Sequence, residues 1–308
     1  MSFEVTVLGS ASAMPTSNRN PAAQLVHLLG RFFLIDCGEG TQTQLRKIRF
    51  KMQKLNYICI SHLHGDHYLG LIGLLSTLSL LNREKELVLF APDGLSKILD
   101  LHFSLSYSKL SFPLSIIPLK GRGLKKIFED DKFELYSFGL KHRIPCWGFK
   151  LMEKKPPKKL CKDMLASYNI PFHSIPAIKL GDDFIKPDGK IIANNILTVN
   201  GHAPRSYAYC SDTKYFNLLS DYVKNVDFLY HESTFHSNLS DKAVKTYHST
   251  SQDAARVALS ANVKKLVLGH FSSRYKNLNI LKEDAEKIFK NVELAVEGST
   301  FKIKKVFR

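Results

Sequence analysis

Apolar and polar positions alternate at the opening of the chain. Phe3, Val5 and Val7 are separated by Glu4 and Thr6, the period of a strand with one buried face. Further β-type segments are expected in residues 24–35, 57–61, 87–90, 115–118, 133–140, 206–211, 226–230, 265–268 and within 293–306, punctuated by Gly and Pro. Helical spacing is expected from Thr41 to about Met52, with Thr41 as N-cap, from about His67 onward, and in residues 93–103, 251–261 and 280–290. Strands come in runs within each half, with helices interspersed. That pattern points to layered α/β architecture with mixed sheets, not to a strictly alternating parallel fold.

Two stretches stand apart. The longest apolar run, residues 69–81, is broken by Gly70, Gly73, Ser76, Thr77 and Ser79. It is shorter than the roughly 20 residues that cross a bilayer, so a buried helix and no membrane segment are expected. Residues 150–190 begin with Lys150, Lys154, Lys155, Pro156, Pro157, Lys158, Lys159 and Lys162, and later carry Pro171, Pro176 and Pro187. This composition reads as a basic, flexible arm inserted into one domain spanning residues 1–308.

Charge sharpens the expectation of partners. Lys and Arg number 44 against 28 Asp and Glu, a net of +16, which attracts polyanions over long range. The five cysteines, Cys37, Cys59, Cys146, Cys161 and Cys210, are odd in number and never form a CxxC pair. They suit a reduced, cytoplasmic protein better than a disulfide framework or a Cys-type zinc finger. The segment Met1 to Val7 lacks a basic leader, so no signal peptide is expected.

The chemistry is concentrated in Ser61-His62-Leu63-His64-Gly65-Asp66-His67. Imidazole and carboxylate suit zinc. His62 and His64 are two residues apart, so on extended backbone they point to one side. A turn at Gly65 lets Asp66 and His67 face a second point nearby, so one loop can serve two adjacent metals. His142, Asp212 and His270 each follow an expected strand, where loops gather a site on a rigid scaffold. Taken singly, each reads equally as a surface, turn or core residue; together they complete two coordination shells.

An HxHxDH string followed by a distant His, an Asp and a His resembles the metallo-β-lactamase superfamily. Within it the chain resembles ribonuclease Z over nearly its whole length. The narrower strings are Leu8-Gly9-Ser10, Pro15 to Asn20, Asp36-Cys37-Gly38-Glu39-Gly40-Thr41-Gln42, Cys210-Ser211-Asp212-Thr213, His231-Glu232-Ser233-Thr234, His248-Ser249-Thr250 and Gly269-His270-Phe271-Ser272-Ser273-Arg274-Tyr275. The resemblance implies an αββα sandwich, two zinc ions per subunit, a homodimer and precursor tRNA as substrate, cut to remove its 3′ trailer. It implies that His62, His64 and His142 hold one zinc, that Asp66, His67 and His270 hold the other, and that Asp212 bridges them. Asp66 is then also the proton acceptor, His248 the candidate donor to the leaving oxygen, and Glu232 the residue that orients His248. By position, Lys154, Lys155, Lys158 and Lys159 match an arm that grips tRNA from the partner subunit; Arg19 and Arg274 lie beside site motifs and are further candidates for substrate contact. Two other readings stay open: a relative acting on a lactam, thioester, sulfate ester or cyclic nucleotide, and a non-catalytic RNA-binding module.

Overall fold

The computed structural model describes residues 2–307; Met1, at the head of the expected opening segment, lies outside them. In chain order the strands are β1 (Phe3–Gly9), β2 (Ala23–Leu28), β3 (Arg31–Ile35), β4 (Tyr57–Cys59), β5 (Leu87–Pro92), β6 (Leu114–Leu119), β7 (Lys125–Glu129), β8 (Phe133–Leu140) and β9 (Cys146–Glu153). The short β10 (Lys159–Leu160), β11 (Phe184–Ile185), β12 (Ile191–Ile192) and β13 (Thr198–Val199) follow, then β14 (Ser206–Cys210), β15 (Phe228–Glu232), β16 (Leu266–Gly269), β17 (Val292–Leu294) and β18 (Thr300–Lys302). Two seven-stranded sheets form, ordered β18-β1-β2-β3-β4-β5-β6 and β17-β16-β15-β14-β9-β8-β7.

The period-2 pattern explains how the sheets stack. On β3 and β4, Phe33, Ile35, Tyr57 and Cys59 share one cluster with Phe133, Leu135 and Phe149 of the opposite sheet. The intervening Leu34 and Ile58 belong to another cluster, with Leu71, Leu74, Leu75 and Leu78 of the helix Gly70–Leu80. Each strand therefore sends alternate side chains to the other sheet and to a helical layer. The helix Ser251–Ser260 covers the second sheet through Ala254, Ala255, Val257 and Ala258. Helix, sheet, sheet and helix make the expected αββα sandwich, and residues 69–81 are largely the expected buried helix.

Local expectations differ in three places. Gly40, not Thr41, is the N-cap of the helix Thr41–Lys47, with φ at 80°. Thr41 is the first helical residue, and its hydroxyl donates to the Gly38 carbonyl at 2.7 Å. That helix also stops well before Met52, because Arg49 takes a left-handed turn at φ 55° and a separate 3₁₀ turn, Met52–Lys54, follows. β7 and β9 are strands that alternation does not reveal. β7 is a polar edge strand, and nearly every residue of β9 is buried.

β9 also holds Lys150, which is only 8% exposed, so the chain leaves the second sheet after Glu153 rather than at 150. It returns at Ser206, whose register partner is Met152. The excursion has structure of its own: β10 pairs with β13, β11 pairs with β12, and Ile178, Phe184, Ile192 and Leu197 form a small apolar cluster. Buried Asn194 ties it together, donating to the Ile178 and Asp182 carbonyls at 2.7 Å each and accepting from Lys158 Nζ at 2.6 Å. At its root, Arg205 Nε donates to Glu153 at 3.0 Å and Nη1 to the Ile303 carbonyl at 2.8 Å.

Candidate metal centre

β14, β15 and β16 run parallel, with Cys210 beside His231 and Glu232 beside Gly269. Their C-terminal ends release Asp212, Glu232 and His270 on one rim. The ends of β4 and β8 deliver His62 and His142 to the same place. Glycine allows the closest approaches. A Cβ on Gly38 would lie 2.4 Å from the Asp66 carbonyl, and one on Gly70 2.2 Å from the Gly38 carbonyl. The Gly38-Glu39-Gly40-Thr41 turn thus seats the His62–His67 loop backbone to backbone. Asp36, Tyr247 and His270 hold left-handed φ values of 56°, 59° and 57°. Such conformations are costly for residues with a Cβ and persist where surrounding contacts fix them.

Three imidazole nitrogens converge. His64 Nδ1 lies 3.1 Å from both His62 Nε2 and His142 Nε2. Asp212 Oδ2 is 3.6 Å from the first and 3.7 Å from the last. A second set faces the other Asp212 oxygen: Oδ1 lies 3.1 Å from His270 Nε2 and 3.5 Å from His67 Nε2, and Asp66 Oδ2 lies 3.4 Å from His67 Nε2 and 3.5 Å from His270 Nε2. All seven side chains named from the sequence are brought together, with Asp212 between the two sets.

The far sides of the rings are anchored. His67 Nδ1 donates to Asp36 at 2.8 Å, and His142 Nδ1 to the Tyr247 carbonyl at 3.0 Å. His62 Nδ1 is 3.0 Å from the Ser61 hydroxyl, and His270 Nδ1 is 3.0 Å from the Thr234 hydroxyl. Anchors of this kind fix ring orientation and leave the opposite nitrogen for a cation. His67 Nε2, His270 Nε2 and Asp212 Oδ1 are buried and have no hydrogen-bond partner among the described residues. Unpaired buried polar atoms are rare and costly, and these three face one another. The donor set therefore fits divalent metal.

Electrostatics agree. Burial pushes His62 well below the ordinary imidazole range and lowers His64 and His142, which keeps all three neutral. Burial opposes charge on Asp66, but His67 and hydrogen bonds from the neighbouring imidazoles overcome it and hold the carboxyl far below its usual range. Burial likewise opposes charge on His67, yet Asp66, Asp212 and Asp36 raise it well above the ordinary value. Three carboxylates around one ring are an excess of negative charge that a cation neutralises.

Glu232, though near Asp212 and His270, is occupied. Its oxygens accept from His248 Nδ1 at 2.8 Å, Thr213 N at 2.9 Å, and the Thr234 hydroxyl and N at 2.7 and 3.2 Å. Burial alone would lower His248; the Glu232 carboxylate raises it to about 9. Burial alone would raise Glu232; His248 brings it down to about 2. The His248 ring lines an open cleft of about 530 Å³ together with His64, Asp66, His142, Asp212 and His270.

The candidate substrate residues are scattered. Arg274 lines the cleft, its guanidinium 4.9 Å from the Phe235 ring centroid. Arg19 does not line it; its Nη atoms donate to the Tyr275 and Ser272 carbonyls at 3.1 and 3.3 Å and brace that loop. Lys154 pairs with Glu129 at 2.6 Å, Lys158 bonds Asn194, Lys159 lies over the Phe307 ring, and Lys155 is exposed. Phe271 is fully buried. Sequence reasoning gave no role to Asp36, Ser61, Thr234 or Arg143. Asp36 and Thr234 lie inside quoted strings, but only the folded chain shows which rings they hold.

The curated relatives decide the family. A ribonuclease Z of Bacteroides fragilis is 42% identical over 296 residues, 96% of this chain and 97% of its own. The chain belongs to the ribonuclease Z family. The ribonuclease Z of Cytophaga hutchinsonii is 41% identical over 98% of this chain and 96% of its own. Among solved structures, the short form of human tRNase Z superposes with a TM-score of 0.72 at 27% identity, covering 98% of this chain and 99% of that one. The metallo-β-lactamase fold protein YhfI from Bacillus subtilis gives 0.69 at 18% identity, covering 98% of this chain and all of its own, and so shows the shared fold. A family model described as Anti-Pycsar protein Apyc1 matches residues 3–129, which hold six of the seven strands of the first sheet and the edge strand β7 of the second. Among the described residues, the chain carries clusters of His and Asp that can hold metal.

Proposed function

We propose that this ribonuclease Z family member is the endoribonuclease that removes the 3′ trailer of precursor tRNA, leaving a 3′-hydroxyl on the tRNA and a 5′-phosphate on the trailer. The observation that carries the reading is the convergence of seven ligand-type side chains, five of which line one open cleft, in a chain about 40% identical, end to end, to proteins named Ribonuclease Z. His62, His64 and His142 would hold one zinc, Asp66, His67 and His270 a second, with Asp212 shared. Such an all-imidazole and carboxylate set suits zinc. When bound, a metal pair supplies Lewis-acid stabilisation of the attacked phosphate and a more acidic water.

The chain's own groups do the rest. Asp66, fixed by the Ala13 backbone N–H at 2.8 Å, takes the proton of the attacking water. His248, held in its protonated form by Glu232, gives a proton to the departing 3′ oxygen. Arg274 and Arg143, on the cleft wall, meet flanking phosphates, while Arg19 acts by bracing the loop that carries Arg274.

The basic insertion, residues 154–205, is the proposed tRNA-gripping arm on the single domain, and its root supports a homodimer. β14 runs from Ser206 at that root to Cys210 beside the site. Five residues of strand span about 17 Å, so the arm emerges from the end of the sheet opposite its own cleft. Action on the partner's substrate follows naturally. Among the described residues no helix is long and apolar enough to cross a membrane, and unpaired cysteines, four of them buried, suit the cytoplasm.

The deciding experiment maps product ends on a precursor tRNA with and without a chelator. Cleavage at the trailer boundary, lost on chelation and restored by zinc, is expected. Cleavage that survives metal removal, or an intact precursor with metal present, would overturn the proposal.

A further inference from the structure

A second cleft, of about 850 Å³, adjoins the metal cleft. Both are lined by His142, and its wall includes Arg122, Lys141, Lys214, Phe216 and Tyr247. Among the described residues no carboxylate lines it. Backbone bonds set its two lysines side by side: Lys214 N donates to the Lys141 carbonyl at 3.0 Å, and Lys141 N to the Thr213 hydroxyl at 3.0 Å. Lys141 Nζ lies 5.0 Å from the Phe216 ring centroid and Lys214 Nζ 4.7 Å from that of Tyr247. Among the described residues, none of Arg122, Lys141 and Lys214 forms an ion pair with a carboxylate, so each cation is available to an incoming anion.

We propose that this groove binds the single-stranded trailer of the precursor, its phosphates on Lys141, Lys214 and Arg122 and a base against Tyr247. The inference rests on the precursor-tRNA reading above. Cations interleaved with aromatic rings are the chemistry of single-strand binding: charge tracks the backbone and a ring stacks any base. The size of the groove selects the trailer over the tRNA. At about 850 Å³ it has room for a short run of nucleotides and far less than the volume of a paired acceptor stem. Continuity with the metal cleft across His142 places the occupant next to the scissile phosphate.

The test compares precursors with trailers of one, two, four and eight nucleotides, using metal-loaded full-length enzyme. For the wild type, KM should fall about tenfold as the trailer lengthens and then level off, a gain of the size that one stacked base and its phosphates supply. In the Lys141→Gln/Lys214→Gln variant KM should be high and independent of trailer length, with zinc content and hydrolysis of bis(p-nitrophenyl) phosphate unchanged. If the double variant loses that hydrolysis too, Arg122→Gln, remote in sequence from the proposed ligands, carries the same comparison. Equal weakening at every trailer length, or of mature tRNA binding, would assign the groove to the tRNA body and overturn the proposal. So would trailer dependence that is absent from the wild type or intact in both variants. A wild type that cuts no precursor at all would instead overturn the underlying reading.

Discussion

Asp36 accepts from Ser61 N at 2.7 Å, Ser61 Oγ at 2.9 Å, His67 Nδ1 at 2.8 Å and Tyr209 Oη at 2.7 Å. Four donors on one buried carboxylate leave it no freedom, and through it His67 has none. Asp36→Asn replaces an acceptor with a donor opposite His67. Metal affinity should fall by about 10–100-fold, read by chelator competition; unchanged affinity would reduce Asp36 to a packing role. Asp66→Ala should abolish cleavage and leave tRNA binding largely intact, since the proposed mechanism has the residue touch the reaction and not the RNA body. Near-normal turnover of that variant would refute its role as proton acceptor. His248→Gln keeps a donor toward Glu232 but removes the proton proposed for the leaving oxygen. Cleavage should slow by about 10²–10⁴-fold with metal fully loaded; lost metal would move His248 into the ligand shell.

At the level of elements, the loops behind the site are held by short polar contacts that explain strings otherwise easily taken as catalytic. Thr250, in His248-Ser249-Thr250, forms a capping box with Asp253 at the start of Ser251–Ser260, and the Ser249 hydroxyl donates to the Thr213 carbonyl at 2.7 Å. Of that string only His248 faces the cleft. Asp284, on the helix Asn279–Glu286, accepts from Ser251 Oγ at 2.7 Å and from Ser237 N and Oγ at 3.1 and 2.9 Å, tying three elements together. Burial opposes its charge, but these donors win and its pKa is lowered. The unfolded chain then binds the proton more readily than the folded one. The contribution is fully present above the ordinary aspartate range and is lost as pH falls through it toward the folded value. Denaturant midpoints across that acid range should therefore drop less steeply for Asp284→Asn than for the wild type, with the variant less stable at neutral pH. Parallel pH curves would assign the acid sensitivity elsewhere.

The whole molecule separates two tasks. The candidate metal centre sits where the parallel strands of one sheet end against loops of the other, and the basic insertion leaves from the opposite end. Because Glu153 and Arg205 already face one another across the β9–β14 ladder (Glu153 N donates to the Arg205 carbonyl at 2.9 Å), residues 154–204 can be replaced by a two-residue Asn-Gly turn. This excision should raise KM for precursor tRNA by at least about tenfold, through lost phosphate contacts, and spare bis(p-nitrophenyl) phosphate hydrolysis. Loss of both in a folded, metal-loaded protein would tie the insertion to the active site itself.

The layered class was legible in the chain alone, through alternation in strands such as β1, runs of strands with helices interspersed, and the interrupted apolar run at residues 69–81. The sequence also picked out the candidate ligands, because imidazoles and carboxylates packed as His62, His64, Asp66 and His67 have few other uses. It could not mark β9, whose residues are buried on both faces and so do not alternate, nor the limits of the insertion, because Lys150 looks solvated in one dimension and is buried in three. Folding is what brings Asp36 onto His67, turns Arg19 to a loop and not the cleft, and sets Lys141 beside Lys214. Each of these depends on strands distant in sequence ending on the same rim, and local composition carries no record of that juxtaposition.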